Sequence, residues 1–328
     1  MDPRTHVEMA RDHVLHPSNP DAQDAYDFQA FKEKFKIEMQ AIDGMDMEFD
    51  MIGVDAAIAN AVRRILISEV PTMAIEQAYI YHNSSVLPDE MLAHRIGLIP
   101  LAVDARRFRT LEEDNNEMND LNTLVFDLDV ECKHREGAKA GETDKNKKYI
   151  NHMVMSSDIK WQPKGNQKDR FKTAICPVHE DIPIVELRPG QRVSMELHCS
   201  KGVGKLHAKW SPVATASYRN APHIVLKQRV TGDLAYRLQQ CFTDGVIEVR
   251  DGEAEVVNSR ADMMSREHLR HDDLAPLVHT TRRRNHFIFQ VESTGALEPD
   301  VLVCEAVGVL KDKCSRLLDQ LNAITGTE

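Results

Sequence analysis

Three carboxylates, Asp127, Asp129 and Glu131, occupy alternate positions of the segment LVFDLDVEC. In a strand that spacing puts all three on one face, where a divalent metal could be held for nucleotidyl transfer. The opposite face, Leu124, Phe126, Leu128, Val130 and Cys132, is wholly apolar. The carboxylates therefore read first as the wet side of an amphipathic strand. A metal-dependent enzyme using Asp127 and Asp129 is the alternative this segment leaves open.

The run Lys201-Gly202-Val203-Gly204-Lys205-Leu206-His207 has the look of a glycine-rich phosphate loop. A phosphate cradle needs a strand before it and a helix N-terminus after it. Here Pro212 comes too soon for a helix, so the run reads better as a tight, basic surface loop that docks on something. Arg282-Arg283-Arg284, directly before a predicted strand, could touch a nucleic-acid backbone or an acidic partner. A solvated strand start is the simpler reading.

The 15 histidines are scattered, and only His94 and His207 fall inside distinctive motifs. Neither has a Ser or Cys nucleophile with a third group at a usable spacing. The six cysteines, Cys132, Cys176, Cys199, Cys241, Cys304 and Cys314, form no CxxC pair and lie near no metal-spaced His pair. They are expected to be free thiols, with no structural zinc. The sequence thus offers no catalytic residues, no metal ligands and no cofactor.

The elements around these residues are sharply patterned. Residues 1–30 are polar, with Pro3, Pro17 and Pro20, and read as an extension, mobile or draped on a partner. Phe35, Ile37 and Met39 alternate with polar residues, as do Met45, Met47, Phe49 and Met51. Period-two alternation on both sides of Asp43-Gly44 predicts a hairpin. Asp55 stands where an N-cap belongs, and Pro71 ends the helix predicted after it. Between them Ile58, Ala61, Val62, Ile65 and Leu66 form one helical stripe, while Ala59, Ile67 and Val70 lie away from it. Such a helix is apolar on two sides. One face suits the chain's own sheet and the other a second subunit.

Further on, residues 73–81 predict a strand and residues 89–98 a short helix. The middle third is β-rich with polar loops, among them the charged stretch 135–148 and the turn Arg188-Pro189-Gly190. Phe287, Phe289 and Val291 alternate in a late strand. Last, Val303, Val307, Leu310, Cys314, Leu317, Leu321 and Ile324 recur at 4-3-4-3-4-3 spacing. That is a heptad seam of about three heptads, open either to the chain's own sheet or to a partner.

The chain has 328 residues, 42% of them hydrophobic, enough for one large domain or two ordinary ones. No apolar run reaches the roughly 18 residues of a membrane span. The N-terminus lacks the apolar core of a secretory signal, so a nuclear or cytoplasmic protein is expected. A net charge of −11 argues against a chain that coats nucleic acid by itself, though not against a subunit of a larger nucleic-acid machine.

The helix IANAVRRILISEVPTMAI followed by LPDEMLAHRIGLIPL resembles the α-like subunits of cellular RNA polymerases. KGVGKLHAKWSPVATASYR and FIFQVESTGALEPDVLV match the same family in the same order, so the resemblance spans about residues 31–321. VDAAIANAVRRIL and the VEST-G wording resemble the branch shared by eukaryotic RNA polymerases I and III. The polymerase II counterpart carries a cysteine cluster after its HRLGLIPL helix. No such cluster follows Leu101 here, so that branch is the alternative.

The resemblance implies an α+β fold with a dimerisation domain at 31–72 and 207–328 around a β-rich insert domain at 73–206. It implies a non-catalytic assembly subunit of the nucleus and nucleolus. Its partners would be a smaller α-like subunit and the two largest polymerase subunits, with DNA reached only through the complex and no membrane. The implied heterodimer interface comprises Ile58, Val62, Ile65, Leu66, Ile67, Val307, Leu310, Cys314, Leu317 and Leu321. The implied large-subunit contacts are Arg63, Arg64, Lys201, Lys205, His207 and Lys209.

Overall fold

A computed structural model describes residues 2, 4–15, 27–137 and 143–325. The fold is α+β. The chain opens with β1 (His6–Met9), β2 (Val14–Leu15), α1 (Phe28–Lys34), β3 (Lys36–Asp43), β4 (Asp46–Ile52) and α2 (Ala56–Ser68). After these stand β5 (Pro71–Asn83), α3 (Asp89–Gly97), β6 (Thr123–Glu131), β7 (Lys133–His134) and the single turn α4 (Lys145–Lys148). Next come β8 (Tyr149–Ile150), β9 (Met153–Met155), β10 (Lys160–Trp161), the short α5 (Gln167–Arg170), β11 (Pro183–Glu186) and β12 (Arg192–Val203). The last third holds β13 (Val213–Leu226), α6 (Asp233–Gln240), β14 (Ile247–Arg250), β15 (Glu253–Val256), β16 (Val278–Ser293) and α7 (Pro299–Thr325).

Two compact units are present. The described residues of the first fall in Met1–Ile42, Glu48–Ala61 and Ser217–Gln290, and those of the second in Asp43–Met47, Val62–Ala216 and Val291–Glu328. In these groupings α7 falls with the β-rich middle of the chain.

A six-stranded sheet runs in the order β2-β1-β16-β4-β3, with β13 also paired to β16. The hairpin β3–β4 turns at Gly44, whose φ of +57° lies in the left-handed region that glycine enters without penalty. On β4, Met47, Phe49 and Met51 are buried as their alternation requires, whereas every residue of β3 is exposed. Phe49 stacks on Phe289 at 5.0 Å between ring centroids, and Tyr218 meets Phe287 edge-on at 5.2 Å.

Two expectations change here. Residues 6–9 and 14–15 are part of the sheet, with β1 antiparallel to β16 and His6 opposite Arg283. Val7 and Met9 alternate with His6 and Glu8, but four residues are too short a run to stand out from polar neighbours. Residues 16–26, the rest of that supposed extension, lie outside the described residues, as do residues 138–142 of the charged stretch. Likewise, Arg282–Arg284 sits within β16, not before it. The strand begins at Val278, and its buried Thr280 and Thr281 hide the apolar pattern that would have marked it.

The first unit also holds a small core in which Leu238, Phe242, Val246, Leu274 and Leu277 bury one another. His268 lies in it, 1% exposed, stacked on Phe242 at 4.7 Å, with Nε2 2.9 Å from the Thr280 hydroxyl. Burial pushes its pKa down to about 4. In the unfolded chain it titrates near 6.5, so the unfolded state binds the extra proton and stability drains as pH falls from 6.5 towards 4. Between pH 7 and pH 5 this group alone removes about 2 kcal/mol. Urea titrations of His268→Gln are therefore expected to show a pH 7-to-5 loss smaller by that amount. An identical loss in both proteins would contradict this reading.

In the second unit a four-stranded antiparallel sheet runs β10-β6-β12-β5. The apolar face of β6 meets that of β12, with Phe126 opposite Leu197 and Leu128 opposite Met195, all at 2% exposure or less. Leu92 and Ile96 of α3 join this core. Cys132 and Cys199 are buried free thiols in it, and burial pushes both above their ordinary pKa.

Candidate functional site

The carboxylate face of β6 is occupied by ordinary strand chemistry. Asp129 accepts from Arg192 Nε at 2.8 Å and Nη2 at 2.6 Å, and these hydrogen bonds hold its carboxyl below the usual range. Among the described residues no three His, Cys, Asp or Glu side chains gather as metal ligands would. Nothing in the geometry brings Asp127, Asp129 and Glu131 together on an ion.

Helix α2 begins as the sequence predicts. The Asp55 carboxylate accepts from the Ala57 amide at 2.7 Å, satisfying one of the donors a helix leaves open at its start. At the other end the Val70 amide closes back on Ile65 O, and Pro71 starts β5. The inward stripe differs from the expected one. Ala59, Val62, Ile65, Leu66 and Val70 are buried, whereas Ile58 and Ile67 are exposed. Val62, Ile65 and Leu66 are thus core residues of this chain and offer no surface to a partner. The wheel alone gave two apolar sides and could not say which one the chain covers.

The glycine loop grips the C-terminal end of α2. The Lys205 amide donates to Ser68 O at 2.8 Å, capping a carbonyl the helix leaves unpaired. A Cβ on Gly204 would lie 2.3 Å from Ile67 O, and one on Gly202 would lie 2.4 Å from the Trp210 ring. Both glycines are there for close approach to the chain itself, not for a phosphate. Lys201 Nζ donates to Phe108 O at 2.9 Å. Lys209 Nζ donates to Ile75 O at 2.9 Å, ion-pairs with Glu76 and lies 4.5 Å from the centre of the Trp210 ring. Lys201 and Lys209 are thus half-buried and bonded within the chain, and Arg63 is half-buried. The loop tip is different: Lys205, His207 and Leu206 are exposed, Leu206 by 74%, and so is Arg64.

The two motif histidines meet. His207 and His94 of α3 stand 6.3 Å apart, edge to face, lining a cleft of about 200 Å³ with Glu76, Ala93 and Lys209. Sequence reasoning singled out both residues but had no means of pairing them. It missed Arg95, whose guanidinium donates to Ile184 O at 2.9 Å and Pro183 O at 2.7 Å and ties α3 to β11. The adjacent His-Arg in the motif was the available signal.

Helix α7 has two distinct stripes. Leu302 and Ala306 are fully buried, and the helix is anchored by Glu305 to Arg106 at 3.1 Å and Lys313 to Glu69 at 2.8 Å. From Lys311 to Ile324 every residue is exposed. The heptad seam lies on this open part: Val307, Cys314, Leu317, Leu321 and Ile324 are exposed, and Val303 and Leu310 are half-buried. Leu318 widens the stripe, at 59% exposure. A seam of this kind in water has no reason to persist unless something covers it.

A model of the RNA polymerase Rpb3/Rpb11 dimerisation domain matches residues 48–314. The chain is 49% identical over 306 residues to DNA-directed RNA polymerases I and III subunit RPAC1 of Mus musculus, covering 92% of this chain and 88% of that protein. It is 43% identical over 303 residues to the subunit of the same name from Saccharomyces cerevisiae, covering 90% of each. Similarity to DNA-directed RNA polymerase II subunit rpb3 of Dictyostelium discoideum is lower, 31% over 308 residues, covering 87% of this chain and 94% of that one.

Proposed function

The chain belongs to the RNA polymerase Rpb3/Rpb11 dimerisation-domain family, and we propose that it is a non-catalytic assembly subunit of RNA polymerases I and III. It pairs with a smaller α-like subunit, and the pair scaffolds the two largest subunits, which carry out DNA-directed synthesis of ribosomal and small RNAs. The working location is the nucleus, including the nucleolus. The higher identity to the polymerase I and III subunits than to the polymerase II subunit supports this branch.

The single observation that carries the pairing is the open end of α7. Fourteen consecutive residues, Lys311 to Ile324, form a helix with no buried position. This second half of the 27-residue α7 has no core packing of its own, and its seam of Leu317, Leu321 and Ile324 suits a second amphipathic helix at coiled-coil spacing. Ile58 and Ile67 are further exposed apolar positions in the interface. The dimerisation domain comprises 31–72 and 207–328, with 73–206 as the insert. Arg64, Lys205 and His207, exposed on the second unit, are the large-subunit contacts that survive burial. No side chain in this arrangement performs chemistry. The subunit contributes shape and apolar surface.

Affinity purification of a tagged copy from nuclear extract, read by mass spectrometry, tests the reading. Recovery of a smaller α-like subunit with the largest subunits of polymerases I and III is expected. Recovery with the largest polymerase II subunit, or with no polymerase subunit, would overturn it.

A further inference from the structure

Beside the β6 sheet of the second unit lies a cavity of about 440 Å³ whose wall is formed by Arg107, Arg170, Phe171, Lys172 and Thr173. Its construction is specific. Phe108 and Phe171 stack at 5.4 Å with their planes 10° apart. The Arg107 guanidinium lies 4.2 Å from the centre of the Phe171 ring, and that of Arg170 lies 5.4 Å from Phe108 and 5.5 Å from Phe171. Each arginine also donates to the other's main-chain carbonyl, and Arg170 Nη1 donates to Asp120 O at 3.0 Å. Rings and carbonyls thus hold both guanidiniums in place without neutralising them.

Among the described residues, Arg107, Arg170 and Lys172 form no ion pair with any carboxylate. The one carboxylate lining the cavity, Asp104, is engaged by Arg106, which donates to it from Nε at 2.9 Å and Nη2 at 2.8 Å. Among the described residues, only Nη2 of Arg107's donor nitrogens is used. Three cations without an ion pair among the described residues therefore line one cavity, against the single carboxylate Asp104, which acts electrostatically on Arg107 as well as Arg106, in a chain whose net charge is −11, with the buried Val103, Phe171 and Ile175 as its apolar lining.

We propose that this cavity binds carboxylate side chains of an extended acidic peptide segment of a partner polypeptide. Pre-placed guanidiniums suit bidentate carboxylates, the apolar lining suits the methylenes that carry them, and the volume falls within the range of ligand pockets. A nucleic-acid strand presents the same kind of charge, but the acidic chain as a whole repels a polyanion. A few carboxylates in a short segment experience mainly the local field, because salt screens the rest within roughly 8–10 Å. The site is independent of the subunit reading above.

The test is fluorescence anisotropy of the full chain with labelled hexaglutamate, hexaglutamine and a thymidine oligonucleotide. Saturable binding of hexaglutamate alone is expected, weakened about tenfold or more by Arg107→Gln and similarly by Lys172→Glu. Lys172 is exposed and has no partner among the described residues, so its replacement keeps the test valid if the arginine variant misfolds. Hexaglutamate affinity unchanged in both variants, equal binding of hexaglutamine, or tighter binding of the oligonucleotide through the same residues would each overturn the proposal.

Discussion

Replacing Val307 and Leu317 with Asp is expected to abolish pairing with the proposed smaller α-like subunit while leaving the lone chain folded. Both side chains are exposed, at 48% and 58%, so neither contributes core burial that the chain could lose. Their substitution should move the chain's own stability by no more than about 0.5–1 kcal/mol, mostly through helix propensity. In the complex the same positions would sit in a dry seam. Each lost side chain forfeits about 1.5–3 kcal/mol of burial, and each new carboxylate must be desolvated without a partner. Together these terms predict a fall in affinity of about a thousandfold or more. Co-expression followed by size-exclusion chromatography, with urea unfolding of the lone variant, reads both halves. Undiminished complex formation would remove the seam from the interface.

The second large effect belongs to the interior of the first unit. Asp50 of β4 is 4% exposed yet carries a carboxylate. It pairs with Arg260 Nη2 at 2.7 Å and His286 Nε2 at 2.8 Å, and Arg260 also reaches Glu48 at 2.5 Å. Asp50→Ala leaves a part-buried guanidinium without its innermost partner, and a loss of about 3–5 kcal/mol is expected. Asp50→Asn keeps the shape and a hydrogen-bond acceptor, so a smaller loss is expected. Equilibrium urea unfolding compares the two. A loss below about 1 kcal/mol for the alanine variant would mean that water replaces the carboxylate readily.

Much of the fold was legible because its signals are local. The Asp55 cap, the Gly44 turn, the alternation of β6 and the periodicity of α7 depend on neighbours a few residues apart, and the structure contains all of them. Legibility failed where the deciding partner is distant in sequence. Strand β1 has four residues and is set as a strand by pairing with the distant β16 as well as with β2. The basic residues of the KGVGK loop looked like outward contacts. Lys201 and Lys209 turn inward because Phe108, Ile75 and Glu76 supply acceptors from far along the chain. The loop's glycines signalled close backbone approach correctly, but what approaches is the end of α2, not a ligand.

The same division runs through the function. The sequence by itself determined the family wording, the two-sided character of α2 and the single heptad seam of α7, and it offered no recognisable catalytic constellation. Periodicity records how many faces of a helix are apolar. Only the tertiary structure decided which of those faces the chain covers. Val62, Ile65 and Leu66 are buried while Ile58 and Ile67 are exposed, and Leu302 and Ala306 are buried while the heptad seam stays open. The physical reason is that burial depends on which surfaces meet in the folded chain, and a helical wheel carries no information about that.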